Sequence, residues 1–222
     1  MKSKKNGCRE QDWGRLDYAV AMKRQRALAG RRAAGGCCDT IVRVAHPPTI
    51  TLGRHAPLDD LLLDSKQLQS RGIALQRSDR GGRATWHGPG QAVVYPVVSL
   101  SELQMGVAAW VCLLESAVIE VLQGYGVDAE RRDGSPGIWT QLGKIASLGL
   151  RVSRGVSYHG VALNVGLDVS GFEVIVTCGV EGERVTSLEA LSASTLEPAV
   201  VSRQLSAAVA TRLHGSAPYE KE

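Results

Sequence analysis

The chain has 222 residues, enough for one substantial hydrophobic core and short for two. Hydrophobic residues make up 44% and charged residues 22%, which excludes a disordered or fibrous chain, and no apolar run approaches the roughly 20 residues that span a bilayer. Five cysteines without zinc-binding spacing argue against a disulfide framework and favour a reduced, cytoplasmic setting without a signal peptide. We therefore predict a single domain over residues 1–222, with a flexible basic N-terminus over residues 1–12.

The formal net charge of +4 arises largely near the start of the chain. The basic residues there are Lys2, Lys4, Lys5, Lys23, Arg24, Arg26, Arg31 and Arg32. They can form a solvated helix face, or a surface that steers an acidic partner into place. Nucleic acid is disfavoured as that partner, because no aromatic side chains interleave with the basic ones and the chain has a single Phe.

The first half of the chain mixes helical and strand patterns. Residues 16–32 predict a helix with basic residues on its outer face. Residues 57–71 have the proline-first, aspartate-rich opening of a second helix. Pro47-Pro48 interrupts the strand pattern between these helices, because proline cannot donate to a strand ladder. The predicted strands of this half are residues 40–45, 49–53, 73–78 and 91–98.

The second half contains the clearest helix, residues 102–123, in which Cys112 is predicted to pack inertly. The apolar residues of its buried face are Val107, Trp110, Val111, Leu114, Val118 and Val121. Arg154-Gly155 is predicted to turn a hairpin between two alternating strands, and residues 197–213 close the chain as a helix. The strand patterns lie at residues 144–152, 161–165 and 172–177. Without regular βα alternation, the class is α+β, a mixed sheet with flanking helices.

Glycines flank a Thr-Trp-His core in the segment RGGRATWHGPGQ, residues 80–91. Glycines on both sides of polar groups let the backbone approach a ligand closely. The same composition also suits a tight loop between strands in which His87 is merely hydrogen-bonded. Spacing alone leaves both interpretations open.

Two further segments carry more polar or small residues than packing requires. Lys144 begins an apolar strand, where it is either a solvated strand end or a buried functional group. Residues 158–164 place small side chains on one strand face, against which a chain-like substrate could lie.

Cys178 follows the apolar run of residues 172–177 and precedes Gly179. A thiol held there could react at a pocket wall, but a free thiol with a pKa of roughly 8.5 needs a nearby cation to become a good nucleophile. By itself, a cysteine at a strand end is more often a core residue than a reactive one.

The three segments RGGRATWHGPGQ, KIASLGLRVSRGVSYHGVALNV and FEVIVTCGV together resemble the lipoyl(octanoyl) transferases, also called lipoate-protein ligase B. The likeness runs over residues 16–191 and includes His46-Pro47-Pro48, Leu52-Gly53 and Pro136-Gly137-Ile138-Trp139. Three motifs in matching order and spacing are a far more specific signal than any one glycine-rich loop.

The resemblance implies an enzyme that moves an octanoyl group from acyl carrier protein to a lysine of a lipoyl domain, such as those of 2-oxo acid dehydrogenases or the glycine cleavage H protein. It implies a fold similar to the biotin/lipoate protein ligase catalytic domain, and a monomer without cofactor, metal, nucleic acid or membrane. Cys178 matches the acyl-thioester cysteine, and Lys144 matches the lysine that tunes it. The matching substrate-binding residues are Arg80, Gly81, Gly82, Arg83, Ala84, Thr85, Trp86, His87, Ser147, Leu148, Gly149, Gly160, Val161 and Ala162.

Three positions depart from the pattern of that family. Arg83 stands where Asp, Gln or Lys is usual, Trp86 replaces a common Tyr, and Thr177 replaces a proline before the cysteine. No departure removes a catalytic group, but the larger Trp86 bears on acyl-chain preference. We further expect the chain of the substrate to lie against Gly160 and Ala162, with residues 80–87 closing over it.

Alternative functions stay open at the level of sequence. An ATP-dependent lipoate or biotin ligase could use the same fold, and would activate its acid as an adenylate without a nucleophilic cysteine. A cysteine hydrolase could pair Cys178 with His87 or His159. A third alternative is a catalytically inactive acyl-binding or scaffolding protein, against which the presence of both Cys178 and Lys144 argues.

Overall fold

The computed structural model describes residues 8–177, 182–192 and 194–215. A seven-stranded mixed sheet has the order β1-β2-β6-β10-β9-β8-β7, and a three-stranded sheet has the order β4-β3-β5. The strands are β1 Arg9–Arg15, β2 Thr40–Ala45, β3 Thr49–Leu52, β4 Ala74–Arg77, β5 Ala84–His87, β6 Gln91–Ser99, β7 Glu130–Arg132, β8 Ser135–Thr140, β9 Gly143–Ser153 and β10 Val156–Asn164. The α-helices are α1 Tyr18–Ala33, α2 Ser65–Ser70, α3 Val107–Gln123, α4 Leu188–Ser192 and α5 Pro198–Gly215.

The large sheet is covered on both faces, which explains why its inner strand β6 is buried throughout and mostly apolar. Val94 and Val98 pack into the cluster formed with α3 and α5. Val93 and Val97, which alternate with them, pack into the cluster under α1 on the other face. The predicted class, a mixed sheet with flanking helices, is confirmed.

The hairpin between β9 and β10 forms at the predicted turn. Arg154 and Gly155 both have positive φ, 49° and 74°, as a two-residue turn of this kind requires. The register pairs Gly149 with Gly160 and Ser147 with Ala162. The hairpin thereby places the second motif and the small-residue segment side by side.

The small sheet has a hydrophobic core of its own, formed with residues that precede Cys178. Trp86 and Ile50 pack there against Phe172, Val174 and Ile175. Residues 172–177, predicted as a strand, are instead the end of a 3-10 helix, Val169–Phe172, followed by an isolated bridge between Ile175 and Leu61. The apolar run was identified as buried, but its hydrogen bonds go elsewhere, so the strand prediction was wrong.

Residues 57–71 do not form one helix either. A short 3-10 turn, Leu58–Asp60, is followed by a separate helix that starts after Asp64. Leu62 N donates to Val174 O over 3.0 Å, which draws the chain away from helical geometry. Asp64 then caps α2 by accepting from the backbone N–H groups of the first turn.

Several predicted boundaries also shift. Helix α3 begins at Val107 and not at residue 102, because Gln104 has a positive φ of 52° and Gly106, the N-cap, is extended. Strand β1 begins at Arg9, inside the segment expected to be flexible. Cys112 is exposed on α3, so its predicted packing role was wrong. Within the part of the chain that the structure describes, no helix is long and apolar enough to cross a membrane.

Candidate active site

A cavity of about 350 Å³ lies between the β9–β10 hairpin and the chain from Arg80 to His87. Small-molecule sites typically have volumes of roughly 300–1,000 Å³. Every predicted site residue that the structure describes lines it except Trp86. The lining residues among those predicted are Arg80, Gly81, Gly82, Arg83, Ala84, Thr85, His87, Lys144, Ser147, Leu148, Gly149, Gly160, Val161 and Ala162. Two of the three sequence motifs therefore meet at one place.

Arg80 holds the irregular wall of the cavity, residues 80–83, through its own side chain. Its buried guanidinium donates to the carbonyl oxygens of Thr51 at 2.7 Å, Arg83 at 2.8 Å and Gly81 at 3.0 Å. Gly149 leaves room for it, because a Cβ there would lie 2.8 Å from Arg80 Cδ. Glycines of the two motifs thus allow the two walls of the cavity to contact each other.

Trp86 does not line the cavity, so its predicted role in substrate binding was wrong. Side chains alternate along β5, so the Trp86 side chain points into the core of the small sheet. Its neighbours Thr85 and His87 point the other way and line the cavity. A Cβ on Gly171 would lie 2.1 Å from the Trp86 ring, so this glycine is needed for the indole to fit. Residues 84–87 are also a regular strand and not part of a closing loop.

Lys144 is buried at the cavity, with only 2% of its surface exposed. Its Nζ lies 4.6 Å from the centroid of the Trp139 ring, whose face attracts a cation. Gly137 makes this position possible, because a Cβ there would lie 2.8 Å from Lys144 Cε. The alternative of a solvated strand end is excluded.

Cys178 lies outside the described residues, which stop at Thr177 and resume at Gly182. The chain on the far side is attached directly to Lys144. Lys144 N donates to Arg184 O at 2.7 Å, and Thr186 N donates to Lys144 O at 2.9 Å. Residues 184–186, which follow Cys178 in the chain, therefore run beside the buried lysine.

The segment that precedes Cys178 is tied to the irregular wall. Asp60 O accepts from Val176 N at 2.8 Å, and the buried Asp60 carboxylate pairs with the Arg83 guanidinium. Arg83, which departs from the family pattern, thus has a partner that links residues 80–83 to the approach to Cys178.

A buried cluster of aromatic and imidazole rings borders the cavity, and sequence analysis identified only part of it. The rings are Tyr18, His46, His87, Tyr95 and His159. Tyr18 stacks on His87 with centroids 5.5 Å apart and on His159 at 6.4 Å. Tyr18 lies at the start of a predicted helix and Tyr95 lies in an apolar strand. A tyrosine at either position can equally be a core residue, so the sequence did not single them out. Also missed among the lining residues were Val107, Val111, Gly134, Ser135 and Pro136.

The imidazoles of this cluster are held neutral. Burial lowers the pKa of His46 to about 4, and burial together with the charge of His46 lowers the pKa of His87 well below its ordinary value. Burial also lowers the pKa of His159, against the opposing effect of its partner Asp79. We therefore expect the histidines here to act as hydrogen-bonding groups at neutral pH, not as cations.

His159 has φ of 60°, an uncommon backbone conformation for a non-glycine residue. Its Nε2 bonds Asp79 Oδ1 at 2.8 Å, and Asp79 Oδ2 accepts from Tyr158 and Arg26. Burial raises the pKa of Asp79, but these hydrogen bonds outweigh it and hold that pKa below its usual range. The carboxylate thus fixes the imidazole that borders the cavity.

No group of three His, Cys, Asp or Glu side chains in residues 8–177, 182–192 and 194–215 is arranged to hold a metal ion. The chemical groups gathered at the cavity are instead a buried lysine, neutral imidazoles and backbone-lined small residues. This set suits binding of an apolar group and proton exchange at one amine.

The fold and cavity define the class of ligase-like catalytic domains. The chain aligns with a bipartite lipoate protein ligase from Thermoplasma acidophilum at a TM-score of 0.71 and 17% identity, covering 94% of this chain and 85% of the other. It aligns with the biotin protein ligase from Aquifex aeolicus at 0.60 and 13%, covering 92% and 70%. At these identities the likeness establishes the fold alone.

Residues 17–210 match the family described as lipoyl protein ligase A/B catalytic domain, and the chain belongs to it. An octanoyltransferase from Chloroflexus aggregans is 46% identical over 178 residues, covering 79% of this chain and 80% of its own. An octanoyltransferase from Solibacter usitatus is 44% identical over 178 residues, with both chains covered to 80%. The resemblance noted from the three motifs is confirmed.

Proposed function

We propose that this protein is an octanoyltransferase that passes an octanoyl group from acyl carrier protein, through a thioester on Cys178, to a lysine of a lipoyl domain. The observation that carries the proposal is the burial of Lys144 at the cavity. Its backbone is hydrogen-bonded to Arg184 and Thr186, a few residues after Cys178 in the chain. The similar octanoyltransferases support the same reaction class, acyl transfer.

The first half-reaction forms the acyl-enzyme. The Cys178 thiolate attacks the carbonyl carbon of the octanoyl thioester, a new C–S bond forms, and the carrier thiol leaves and takes up the proton that Cys178 gave up. Lys144 as a cation stabilises the thiolate. A thioester already holds the free energy needed to make an amide, so the reaction needs no nucleotide.

The second half-reaction transfers the acyl group to nitrogen. The acceptor amine attacks the acyl-enzyme carbonyl, the C–N bond forms, and the C–S bond breaks to return Cys178 as a thiolate. The proton lost by the amine goes to Lys144, which must be neutral at that moment. One lysine thereby supports both half-reactions in alternate protonation states.

The cavity suits an octanoyl chain on the hairpin side, where Ala162 lines it on the face of β10 that it shares with Gly160. Gly160 contributes differently from the sequence-based expectation. A Cβ at this glycine would lie 2.3 Å from Val94 O, so its small size serves the close approach of β6. Ala162 is therefore the residue whose size is free to limit the substrate.

The partners follow from the reaction. Acyl carrier protein supplies the octanoyl group, and lipoyl domains of 2-oxo acid dehydrogenases or the glycine cleavage H protein accept it. The exposed basic residues of α1 offer a surface of the sign that attracts an acidic carrier. The protein acts as a monomeric single domain in the cytoplasm, where Cys178 stays reduced; Cys8, Cys37, Cys38 and Cys112 are likewise free thiols.

The test is intact-mass analysis after incubation with octanoyl-acyl carrier protein and no ATP. We expect one octanoyl adduct that hydroxylamine removes, located on Cys178 by peptide mapping. Cys178→Ala should abolish the adduct, whereas the matched control Cys112→Ala, at the exposed thiol, should retain it.

Other outcomes distinguish the alternatives. A requirement for ATP with free octanoate as donor would favour a ligase on the same fold. Release of octanoate to water in the presence of a lipoyl domain would favour a cysteine hydrolase. An adduct on Cys112 or Cys38 with Cys178→Ala still active would refute the proposal.

A further inference from the structure

A chain of two side-chain amides leads from the Lys144 strand to His87. Gln91 Nε2 lies 3.2 Å from Trp86 O and 3.0 Å from Asn164 Oδ1. Asn164 Nδ2 lies 3.0 Å from Thr186 O, and the N–H of Thr186 donates to Lys144 O. Gln91 Oε1 lies 2.8 Å from His87 Nδ1.

The orientation of both amides is fixed by the carbonyls at their ends. Backbone carbonyl oxygens only accept, so the NH₂ group of Asn164 must face Thr186 O and the NH₂ group of Gln91 must face Trp86 O. Gln91 Oε1 is then an acceptor toward His87, and the hydrogen of that bond must sit on His87 Nδ1. The neutral ring therefore carries a lone pair, without hydrogen, on Nε2.

That lone pair has no hydrogen-bond partner among the described residues. His87 is only 4% exposed, and it lines the cavity. A buried acceptor without a partner is costly, so its retention in a site points to a donor that arrives with a ligand. An octanoyl chain has no N–H or O–H to offer, whereas the acceptor amine brings N–H donors to the reacting centre.

We propose, on the basis of the proposed function, that His87 Nε2 accepts a hydrogen bond from the acceptor amine and orients it for attack on the acyl-enzyme, with Gln91 and Asn164 as positioning residues that fix the tautomer. His87 holds the neutral amine while Lys144 receives its proton. The two basic groups of the cavity thereby have separate tasks, joined through Asn164 and Thr186.

The charges around the ring support a neutral acceptor. Burial lowers the pKa of His87 most, and His46, Arg80 and His159 lower it further, while the bond to Gln91 acts in the opposite direction. Tyr18 stacks against the ring, and Lys144 lines the same cavity. Nε2 therefore stays without a proton through neutral pH.

The experiment measures the two half-reactions separately by single turnover in His87→Asn and His87→Gln. The Asn amide keeps a group near Nδ1 but supplies nothing at Nε2, whereas the longer Gln side chain can place an oxygen there. We expect His87→Asn to slow transfer from preformed acyl-enzyme to a lipoyl domain by roughly 10- to 100-fold, with acyl-enzyme formation within about 3-fold of wild type. His87→Gln should recover part of the loss.

A second variant tests the amide chain through pH. Gln91→Glu replaces the Gln91 amide by a carboxylate, whose negative charge raises the basicity of His87. The rate of acyl transfer should therefore begin to fall, on acidification, at a higher pH than in wild type. Nitrogen NMR of the wild-type imidazole should show hydrogen on Nδ1 and none on Nε2. Cys112→Ser serves as the matched control, and thermal unfolding verifies that each variant is folded.

The outcomes separate this inference from the proposed function. If wild type forms no acyl-enzyme, the proposed function fails. If wild type forms and transfers the acyl group but His87→Asn slows neither step, the role assigned to His87 is wrong. The same conclusion follows if His87→Asn slows only acyl-enzyme formation, because His87 would then contact the donor arm. Hydrogen on Nε2 of the wild-type ring would also overturn it.

Discussion

The two walls of the cavity are built by different means. On the hairpin wall, an unbroken β9–β10 ladder sets the positions of Ser147 and Ala162, and the pairing of β9 with β8 sets that of Lys144. On the opposite wall, residues 80–83 have no ladder, and the Arg80 guanidinium bonds three backbone carbonyls to hold them. The hairpin wall therefore owes its geometry to a regular ladder, whereas the irregular wall depends on the Arg80 guanidinium together with separate backbone bonds and the Asp60–Arg83 pair.

The buried basic groups of the walls differ in the same way. Lys144 rests against the face of Trp139, which stabilises its ammonium form. His87, at the end of the other wall, is held by an amide that fixes its tautomer. Under the proposed mechanism, charge and proton exchange belong to the hairpin wall, and orientation of the amine belongs to the other wall.

The largest expected effect follows from removing the charge of the hairpin wall. Lys144→Ala should slow both half-reactions, and Lys144→Arg should retain some acyl-enzyme formation while transfer falls about 10²- to 10⁴-fold, because arginine keeps the charge but does not release its proton. Single-turnover kinetics with thiol-alkylation titration of Cys178 measures this. Wild-type rates and thiol pKa in Lys144→Ala would refute the separation of tasks.

The ring cluster behind the irregular wall should make stability depend on pH. The folded-state pKa of His46 is about 4 against an ordinary 6.5, so between these values the unfolded chain binds a proton that the folded chain does not. The contribution of His46 to the free energy of unfolding should be constant above pH 6.5. It should fall by about 3 kcal/mol as the pH drops toward 4. Denaturant unfolding from pH 7 to 4.5 measures the slope.

Two variants make the His46 effect specific. His46→Gln should reduce the slope by the contribution of His46 and leave that of His87 and His159, while His55→Gln, at an exposed histidine, should leave it unchanged. An unchanged slope in His46→Gln would mean that the cluster does not hold this ring neutral.

Arg80→Lys should affect the irregular wall alone. A lysine keeps the charge but cannot make the same fork of hydrogen bonds, so the unfolding free energy should fall by about 2–3 kcal/mol. Denaturant unfolding compares it with Arg77→Lys, at an exposed arginine on β4. Equal stability of the two variants would show that the wall does not depend on the guanidinium.

Ala162→Leu sharpens the role of the hairpin wall as the surface for the acyl chain. The added methyl groups enter the cavity, so use of octanoyl donors should fall by about 10-fold more than use of shorter donors. Acyl-enzyme formation with carriers of several chain lengths tests this. Equal loss at every length would point to misfolding instead.

The smallest effect is expected at Trp86, on the back of the irregular wall. Trp86→Phe should cost about 1 kcal/mol of stability through looser packing against Gly171. Chain-length preference should not change, because the side chain does not reach the cavity. A shift in preference between octanoyl and shorter donors would contradict this orientation.

Much of the cavity could be predicted from the sequence because its residues occur in continuous motifs. Residues 80–87, 147–149 and 160–162 line it almost as expected. Trp86 was the exception, since the resemblance assigns a position without saying which face of a strand it occupies. Tyr18, Tyr95 and His46 come from separate segments, and only long-range packing joins them to His87 and His159.

The sequence by itself determined the elements whose signal is local: the hairpin at Arg154-Gly155, the strand β6 and the periodic buried face of α3, apart from Val107, which is 51% exposed. Only the tertiary structure decided that residues 172–177 are no strand and that residues 57–71 are no single helix, because these two segments bond to each other through Leu62 N and Val174 O. The orientation of Trp86 and the amide chain to His87 also depend on partners distant in sequence. Periodicity reports which residues are buried, but hydrogen-bond partners far along the chain decide what conformation buries them.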